Sequence, residues 1–259
     1  MQIFNYHTHT YRCKHAIGKD EEYILKAIEA GYKVLGFSDH APYKDYPSDY
    51  AHMDIEQLDE YISSINELKE KYKDIITIKL GLESEYYPFN HDERVLLREK
   101  VDYFILGQHF SHPSGKIGSY FKTNTDEEII EYCQNVLKAL DTGLFTYLAH
   151  PDVFMNGQDE FNETCQKVAH LVSQKCAETS TPMEVNLRGI MRGKKEFING
   201  YQYAYPHKDF WRIASQYPIK CLFGVDAHSP DELSQTDLYE LAYEELKDLN
   251  LNFINDPFI

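Results

Sequence analysis

The sequence contains no stretch of about 18 apolar residues, which excludes a membrane-spanning helix, and no cluster of lysine and arginine. Of its 259 residues, 42 are acidic and 26 basic, for a formal net charge of −16. Without a continuous basic stripe, that balance argues against a nucleic-acid groove and against an anionic membrane surface. Cysteine is sparse: Cys13, Cys133, Cys165, Cys176 and Cys221 are odd in number and include no Cys-x-x-Cys pair. Neither a disulfide framework nor a closed structural zinc site is therefore expected. The start, Met1-Gln2-Ile3-Phe4-Asn5-Tyr6, lacks the basic region and long apolar core of a secretory signal, so a reducing cytoplasm is the expected compartment. There is no low-complexity run, no phosphate loop of the form G-x-x-x-x-G-K-S/T, and no Pro/Ser-rich linker. One domain over 1–259 is expected.

What is present is an alternation of short apolar, β-branched runs with longer segments of helical period. Strands are expected at 2–6, 33–38, 75–83, 103–107, 145–149, 183–186 and 219–225. Helices are expected at 20–30, closed by Gly31, and at 54–72, where Ile55, Leu58, Ile62, Ile65 and Leu68 recur at three- and four-residue steps. Thr125-Asp126-Glu127-Glu128 reads as a capping box opening a helix that ends before Gly143. Segments 161–179, 205–216 and 230–249 complete the set. This order defines an α/β domain, compatible with either a doubly wound sheet or a closed barrel.

The polar residues decide between the two. Two imidazoles at i and i+2 on an extended segment face the same way, and the first strand ends in His7-Thr8-His9, with His15 six residues on. The second strand runs into Asp39-His40, the third ends in Gly81-Leu82-Glu83-Ser84-Glu85, and the fourth leads through Gly107-Gln108 to His109. The fifth delivers His150, the sixth Glu184 and Asn186, and the seventh Asp226-Ala227-His228. In an open sheet, ligands gather at one switch point. Here every strand contributes at its C-terminal end, as at a barrel mouth, so a distorted (β/α)7 barrel is expected. Any one of these histidines read alone is ordinarily a surface or hydrogen-bonded residue. Six of the 12 histidines (His7, His9, His40, His109, His150, His228) nevertheless sit at strand ends, and independent surface residues have no reason to choose one end.

Imidazole and carboxylate donors suit Zn, Fe and Mn. Seven histidines with Glu83 and Asp226 exceed what one cation can use, so two or three ions are expected at about four to five ligands each. Such a centre lowers the pKa of bound water and clamps the oxygens of a phosphoryl group.

His7-Thr8-His9-Thr10, Arg12-Cys13-x-His15-Ala16, Asp39-His40-Ala41-Pro42, Gly81-Leu82-Glu83, His109-Phe110, Ala149-His150-Pro151-Asp152, Glu184-x-Asn186 and Gly224-x-Asp226-Ala227-His228 resemble, in order and spacing, the polymerase and histidinol phosphatase (PHP) family. Within it the chain is most similar to the bacterial L-histidinol-phosphate phosphatases. The resemblance implies a distorted (β/α)7 barrel with three divalent transition-metal ions. The first would be held by His7, His9, Glu83 and Asp226. Glu83 would bridge to a second, held also by His109 and His150, and His15, His40 and His228 would hold the third. It further implies hydrolysis of L-histidinol phosphate, in histidine biosynthesis, by a metal-bridging hydroxide without a phospho-enzyme, with Glu83, Asp226 and His228 as catalytic residues. The partner would be a small phosphomonoester.

Three substrate-binding residues are expected. Glu85, two residues past Glu83, is a candidate for the cationic amine or imidazole of the substrate, or else a loop-facing acid. Arg188 and Arg192 compete for the phosphate, because the family's Asn-x-Ser-Gly-Leu-Arg stands here as Asn186-Leu187-Arg188-Gly189-Ile190-Met191-Arg192. Asn5 replaces an aspartate common two positions before the first ligand histidine. Cys13 reads as a buried structural thiol, and the run Tyr201-x-Tyr203-x-Tyr205-Pro206-His207 as packing over the mouth. Competing readings are a phosphoesterase of the same family acting on nucleotides, sugar phosphates or phosphotyrosine proteins, a metal-dependent amidohydrolase, and a non-catalytic metal-binding module. The amidohydrolase reading needs a ligand lysine or its equivalent near the end of the fourth strand, where Gly107-Gln108-His109 stands instead.

Overall fold

Successive short strands separated by helices pair in parallel and curl the sheet into a ring. The computed structural model describes residues 2–259. The elements are β1 (Phe4–Asn5), α1 (Asp20–Glu29), β2 (Val34–Phe37), α2 (Leu58–Tyr72), β3 (Thr77–Ser84), α3 (His91–Arg98), β4 (Tyr103–Leu106) and α4 (Asp126–Leu140). They continue with β5 (Tyr147–Leu148), α5 (Glu163–Thr179), β6 (Met183–Asn186), α6 (Leu187–Met191), β7 (Lys194–Phe197), β8 (Gly200–Tyr203), α7 (Lys208–Ala214), β9 (Lys220–Gly224), α8 (Asp237–Leu246) and β10 (Asn252–Phe253). The sheet order is β1-β2-β3-β4-β5-β6-β9-β10, and all of its ladders are parallel.

The distorted (β/α)7 barrel is therefore the fold, and all seven expected strands form. Its closure is uneven. At the mouth, β1 meets β9 through backbone: His9 N–H donates to Ala227 O at 2.8 Å and Ala227 N–H to His7 O at 3.2 Å. Lower down the two strands part, and side chains replace the missing ladder. Gln2 spans the gap to Phe223, accepting from its N–H at 3.0 Å and donating to its carbonyl at 2.8 Å. Asn5 accepts from Val225 N–H at 2.9 Å and donates to His7 O and Thr8 Oγ1 at 3.0 and 2.8 Å. An aspartate could accept from Val225 but could not make the two donations, so Asn5 belongs to this seam. The unforeseen strand β10 pairs with the lower end of β9.

Alternation along each strand divides the core. Leu35, Phe37, Phe104, Leu106 and Leu148 face the helices. Phe4, Tyr6, Val34, Tyr103, Ile105, Tyr147, Ala149 and Leu222 fill the barrel interior. Tyr103 Oη donates to the carbonyls of Tyr6 and Phe37 at 2.6 and 2.9 Å. A Cβ at Gly81 would lie 2.4 Å from the Tyr103 ring, which is why that strand carries glycine. The floor is sealed by the C-terminal tail, whose Phe258 and Ile259 amides donate to Tyr6 Oη at 3.2 and 3.3 Å.

The Thr125 capping box forms as expected, with Thr125 Oγ1 accepting from Glu128 N–H and Glu128 accepting in return. Gly31 follows α1 at φ +86°, the left-handed conformation that closes a helix without a Cβ penalty. Two expected helices are shorter than their apolar pattern: the segment 205–216 turns helical only from Lys208, and 230–249 splits into a 3-10 turn (Pro230–Ser234) and α8. The sequence reading missed α3 because its inner face carries a buried charge. Arg94, fully enclosed, donates to Pro42 O at 2.7 Å and Ser84 Oγ at 3.0 Å, breaking the apolar period. Tyr201 and Tyr203 of the tyrosine run belong to an antiparallel hairpin, β7–β8, with Tyr201 exposed, and Tyr205 lies buried beyond it.

Candidate metal centre and active site

Every strand of the ring ends at one mouth, and the side chains that follow turn inward there. His150 and Asp226 do so with φ of +29° and +55°, left-handed values that side-chain-bearing residues adopt at a cost of about 1–3 kcal/mol each. The room they turn into is kept by glycine: a Cβ at Gly107 would meet Glu83 Oε1 at 1.9 Å, and one at Gly224 would meet Glu184 Oε2 at 2.0 Å.

The nine donors read from the sequence converge. On the floor, Asp226 Oδ1 lies 3.6 Å from His7 Nε2 and 3.3 Å from His9 Nε2, and each imidazole lies 3.4 Å from a Glu83 oxygen. Beside them His109 Nε2 and His150 Nε2 stand 3.1 Å apart, at 3.3 and 3.0 Å from Glu83 Oε1. Toward the rim, His15, His40 and His228 each present a donor atom within 4.8 Å of the others. Glu83 is the common element, for its second oxygen lies 3.1 Å from His40 Nδ1.

Whether this chemistry fits cations is answered by the tautomers and by the charges. His7 Nδ1 is bonded to Glu184 at 2.8 Å, His109 Nδ1 to Glu85 at 3.1 Å, His228 Nδ1 to Asp226 O at 2.9 Å, and His15 Nδ1 to Cys13 O at 2.8 Å. Those acceptors hold the proton on Nδ1 and leave the Nε2 lone pair facing the centre, the arrangement of metal-ligating histidine. His7 Nε2, His9 Nε2 and Glu83 Oε2 are buried without any hydrogen-bond partner. Five buried carboxylates (Asp39, Glu83, Glu85, Glu184, Asp226) surround the centre, and among the described residues none is paired with a lysine or arginine side chain. Burying unpaired charge is expensive, and divalent cations would relieve it. The field is correspondingly steep. Burial works against ionisation of Glu83 and Asp226, yet the surrounding imidazoles hold both carboxyls well below the usual range. Burial likewise opposes protonation of His109, but Glu83 and Glu85 push it up to about 10. Burial and neighbouring His9 depress His40 and His228.

Above the donors opens a cavity of about 380 Å3 lined by His15, His40, Glu83, Glu85, His109, Asp226 and His228, with Tyr50, Phe110, Phe121, Lys122, Arg188 and Arg192 higher up. Glu85 is buried, and its oxygens are engaged by His109 Nδ1, by His52 Nε2 at 3.2 Å and by Tyr43 Oη at 3.0 Å. The two arginines differ. Arg188 is tethered, donating to Glu232 at 3.2 Å and to Asp226 O at 3.3 Å. Arg192 lies over the rings of Phe121 and Tyr205, 5.6 and 6.0 Å from their centroids, and no ion pair with a described acid engages it.

Sequence reasoning missed several supports. Glu184 was visible on its strand, but its bond to His7 joins residues 177 positions apart. His52 sits in the β2–α2 loop and reaches Glu85. Asp39, adjacent to His40, accepts from Thr10 N–H at 3.2 Å and lies 3.7 Å from His9 Nδ1. Gln108, where a lysine ligand would be required of an amidohydrolase, is spent on structure, bonding Tyr86 N–H and Phe110 O. All five cysteines are free and buried, and no helix among the described residues is long and apolar enough to cross a membrane.

Residues 5–188 match the family described as PHP domain. The chain is similar to "Probable histidinol-phosphatase" of Deinococcus radiodurans, 27% identical over 252 residues that cover 94% of this chain and 92% of that protein. It is also similar to a protein of the same name from Schizosaccharomyces pombe, 25% identical over 91% of this chain and 83% of the other. In fold it resembles the crystal structure of histidinol phosphate phosphatase from Lactococcus lactis, complexed with Zn, L-histidinol and phosphate. The TM-score is 0.73 at 18% identity, covering 98% of this chain and 95% of that one.

Proposed function

The chain belongs to the PHP domain family, and from that premise we propose that it is a metal-dependent phosphomonoesterase that hydrolyses L-histidinol phosphate to L-histidinol and phosphate. The observation that carries this reading is the convergence of nine imidazole and carboxylate donors, with the Nε2 lone pairs of His7, His15, His109 and His228 inward, on the floor of a cavity with arginine at its rim. The substrate class is supported by relatives bearing that name over nearly their whole length.

Three ions are the number these donors fit, with Zn, Fe and Mn the suited metals. His7, His9, Glu83 and Asp226 would hold one, Glu83, His109 and His150 a second, and His15, His40 and His228 a third. When bound, such ions bring the pKa of water toward neutrality and stabilise charge on phosphoryl oxygens. The protein's own part is orientation. Glu184 fixes His7 and Glu85 fixes His109, and Glu85, which also lines the cavity, is the carboxylate available to a cationic group of the substrate. Glu83, Asp226 and His228 line the cavity that would receive the phosphoryl group and are the residues assigned to catalysis. Arg192, unpaired with any acid among the described residues, is the guanidinium available for bidentate phosphate binding, with Arg188 held in reserve by Glu232 and Lys122 adding positive charge. The whole chain, 1–259, acts as one catalytic unit on a small molecule.

The test is a phosphatase screen of the purified protein with added Mn, Fe or Zn. L-Histidinol phosphate is expected to exceed nucleotides, sugar phosphates, phosphotyrosine and simple phosphomonoesters in kcat/KM. Equal or slower release from L-histidinol phosphate refutes the substrate, and absence of any metal-dependent release refutes the class.

A further inference from the structure

The cavity above the donors is chemically two-sided, and the strand order says why. Tyr50 comes from the loop after β2 and Phe110 from the loop after β4, the two strands that flank β3. Arg188 and Arg192 follow β6, across the ring from β3. The mouth therefore sets the Tyr50–Phe110 lip opposite an arginine wall, which the far part of the loop after β4 joins with Lys122 and with Phe121 beneath Arg192.

The lip is built. The rings of Tyr50 and Phe110 meet edge to face, with centroids 6.4 Å apart at 87°, although Tyr50 is 46% exposed. The two loops are clasped by Tyr50 Oη donating to Gly115 O and by Lys116 Nζ beside Asp49 at 3.3 Å. Gly115, at φ +68°, lets the two loops of this clasp approach, for a Cβ there would stand 3.1 Å from Ala51 Cβ. The backbone of Tyr50 is also tied to the centre, its carbonyl accepting from His15 Nδ1 at 2.9 Å. Exposed Tyr50 and half-buried Phe110 thus form one fixed aromatic patch in the cavity wall.

We infer that Tyr50 and Phe110 form the leaving-group subsite and select phosphomonoesters whose alcohol carries a cationic amine and a flat ring. This rests on the reading of the chain as a phosphatase for L-histidinol phosphate, and it names what that reading leaves open. The phosphate dianion is drawn to the arginine wall and to the donors. A cationic leaving group is repelled from that wall and attracted to the π faces of the lip, and a planar imidazole packs against them. The charge division thus sets both orientation and specificity.

The experiment measures kcat/KM for L-histidinol phosphate and for glycerol phosphate, which has neither ring nor cation, on the metal-loaded protein. Tyr50→Ala and Phe110→Ala are each expected to lower the ratio of the two about tenfold. Tyr50→Phe, which keeps the ring and loses the clasp to Gly115, is expected to retain the ratio within about twofold. L-Histidinol binding, read by calorimetry, is expected to weaken about tenfold in the alanine variants. Absence of wild-type turnover of L-histidinol phosphate overturns the substrate reading and this inference with it. Turnover with an unchanged ratio in both alanine variants, or loss of the ratio in Tyr50→Phe, overturns the inference alone.

Discussion

Replacing Glu184 should loosen the metal centre without unfolding the barrel. Glu184 is fully buried on β6; its carboxylate accepts from His7 Nδ1 at 2.8 and 3.1 Å and from Asn186 Nδ2 at 2.7 Å. It is not among the residues lining the cavity, so it acts through His7 and through Asn186, whose Nδ2 also donates to Asp226 Oδ2 at 3.1 Å. In Glu184→Gln one carbonyl oxygen survives to accept from His7, and the charge-assisted part of the bond, about half its strength, is lost. For a hydrogen bond to a charged group worth about 1.5–3 kcal/mol, that loss is about 0.8–1.5 kcal/mol, or roughly four- to twelvefold in affinity. Glu184→Ala removes the acceptor altogether and should approach the hundredfold end of the range for such outer supports. The assay is competition with a chromogenic chelator at fixed pH, with metal content by mass spectrometry and thermal melting of the metal-free protein as the control for folding. Unchanged metal affinity in both variants, with normal melting, would refute the claim that Glu184 orients His7.

Other outcomes follow from the same structure. Arg192→Ala should lower kcat/KM for the phosphomonoester by about 10- to 100-fold through loss of a bidentate charged contact, whereas Arg188→Ala should also lower the melting temperature by freeing Glu232 near His228; the reverse pattern in kinetics and melting would exchange their roles. His207, enclosed between the rings of Phe161 and Phe197 with both ring nitrogens unpartnered, has its pKa lowered by burial to about 4. The folded state resists a proton that the unfolded chain takes up below about 6.5, so stability falls as pH drops from there toward 4. Between pH 7 and 4.5 the wild type should lose about 2 kcal/mol more than His207→Leu in urea melts, and parallel pH profiles would disprove it. Removing residues 252–259 opens the barrel floor and the β1–β9 seam, and should cost about 2 kcal/mol or more, read as a fall in melting temperature of roughly 5 °C; an unchanged melt would show that the tail contributes nothing.

The seven ring strands were legible because each is a short buried run closed by a polar residue, and burial on both faces leaves a near-continuous apolar signature. The nine donors were legible for the same reason: a strand end is a fixed place in a barrel, so a histidine after each apolar run announces where it points. Elements that draw stability from distant partners were not. The α3 helix hides its pattern behind Arg94, whose partners lie on other loops. Strand β10 has two residues and exists only because β9 offers an unpaired edge at the seam. The hairpin β7–β8 turns at Ile198-Asn199 ahead of Gly200, a weak local signal, and the tyrosines after it drew the reading toward the mouth.

The site divides in the same way. Which residues face the mouth follows from strand period and residue type, and the chain alone determined it for His7, His9, His40, Glu83, His109, His150, Asp226 and His228. What each nitrogen does depends on its second neighbour, and those neighbours are remote in sequence. Only the folded ring brings Glu184 to His7 and Glu85 to His109, ties Arg188 to Glu232 while leaving Arg192 free, and stands Tyr50 and Phe110 across from both arginines. A linear pattern records which side chains a strand will present. Hydrogen-bond pairing and the charge division of a cavity are properties of closure, and they come into being when the first strand meets the last.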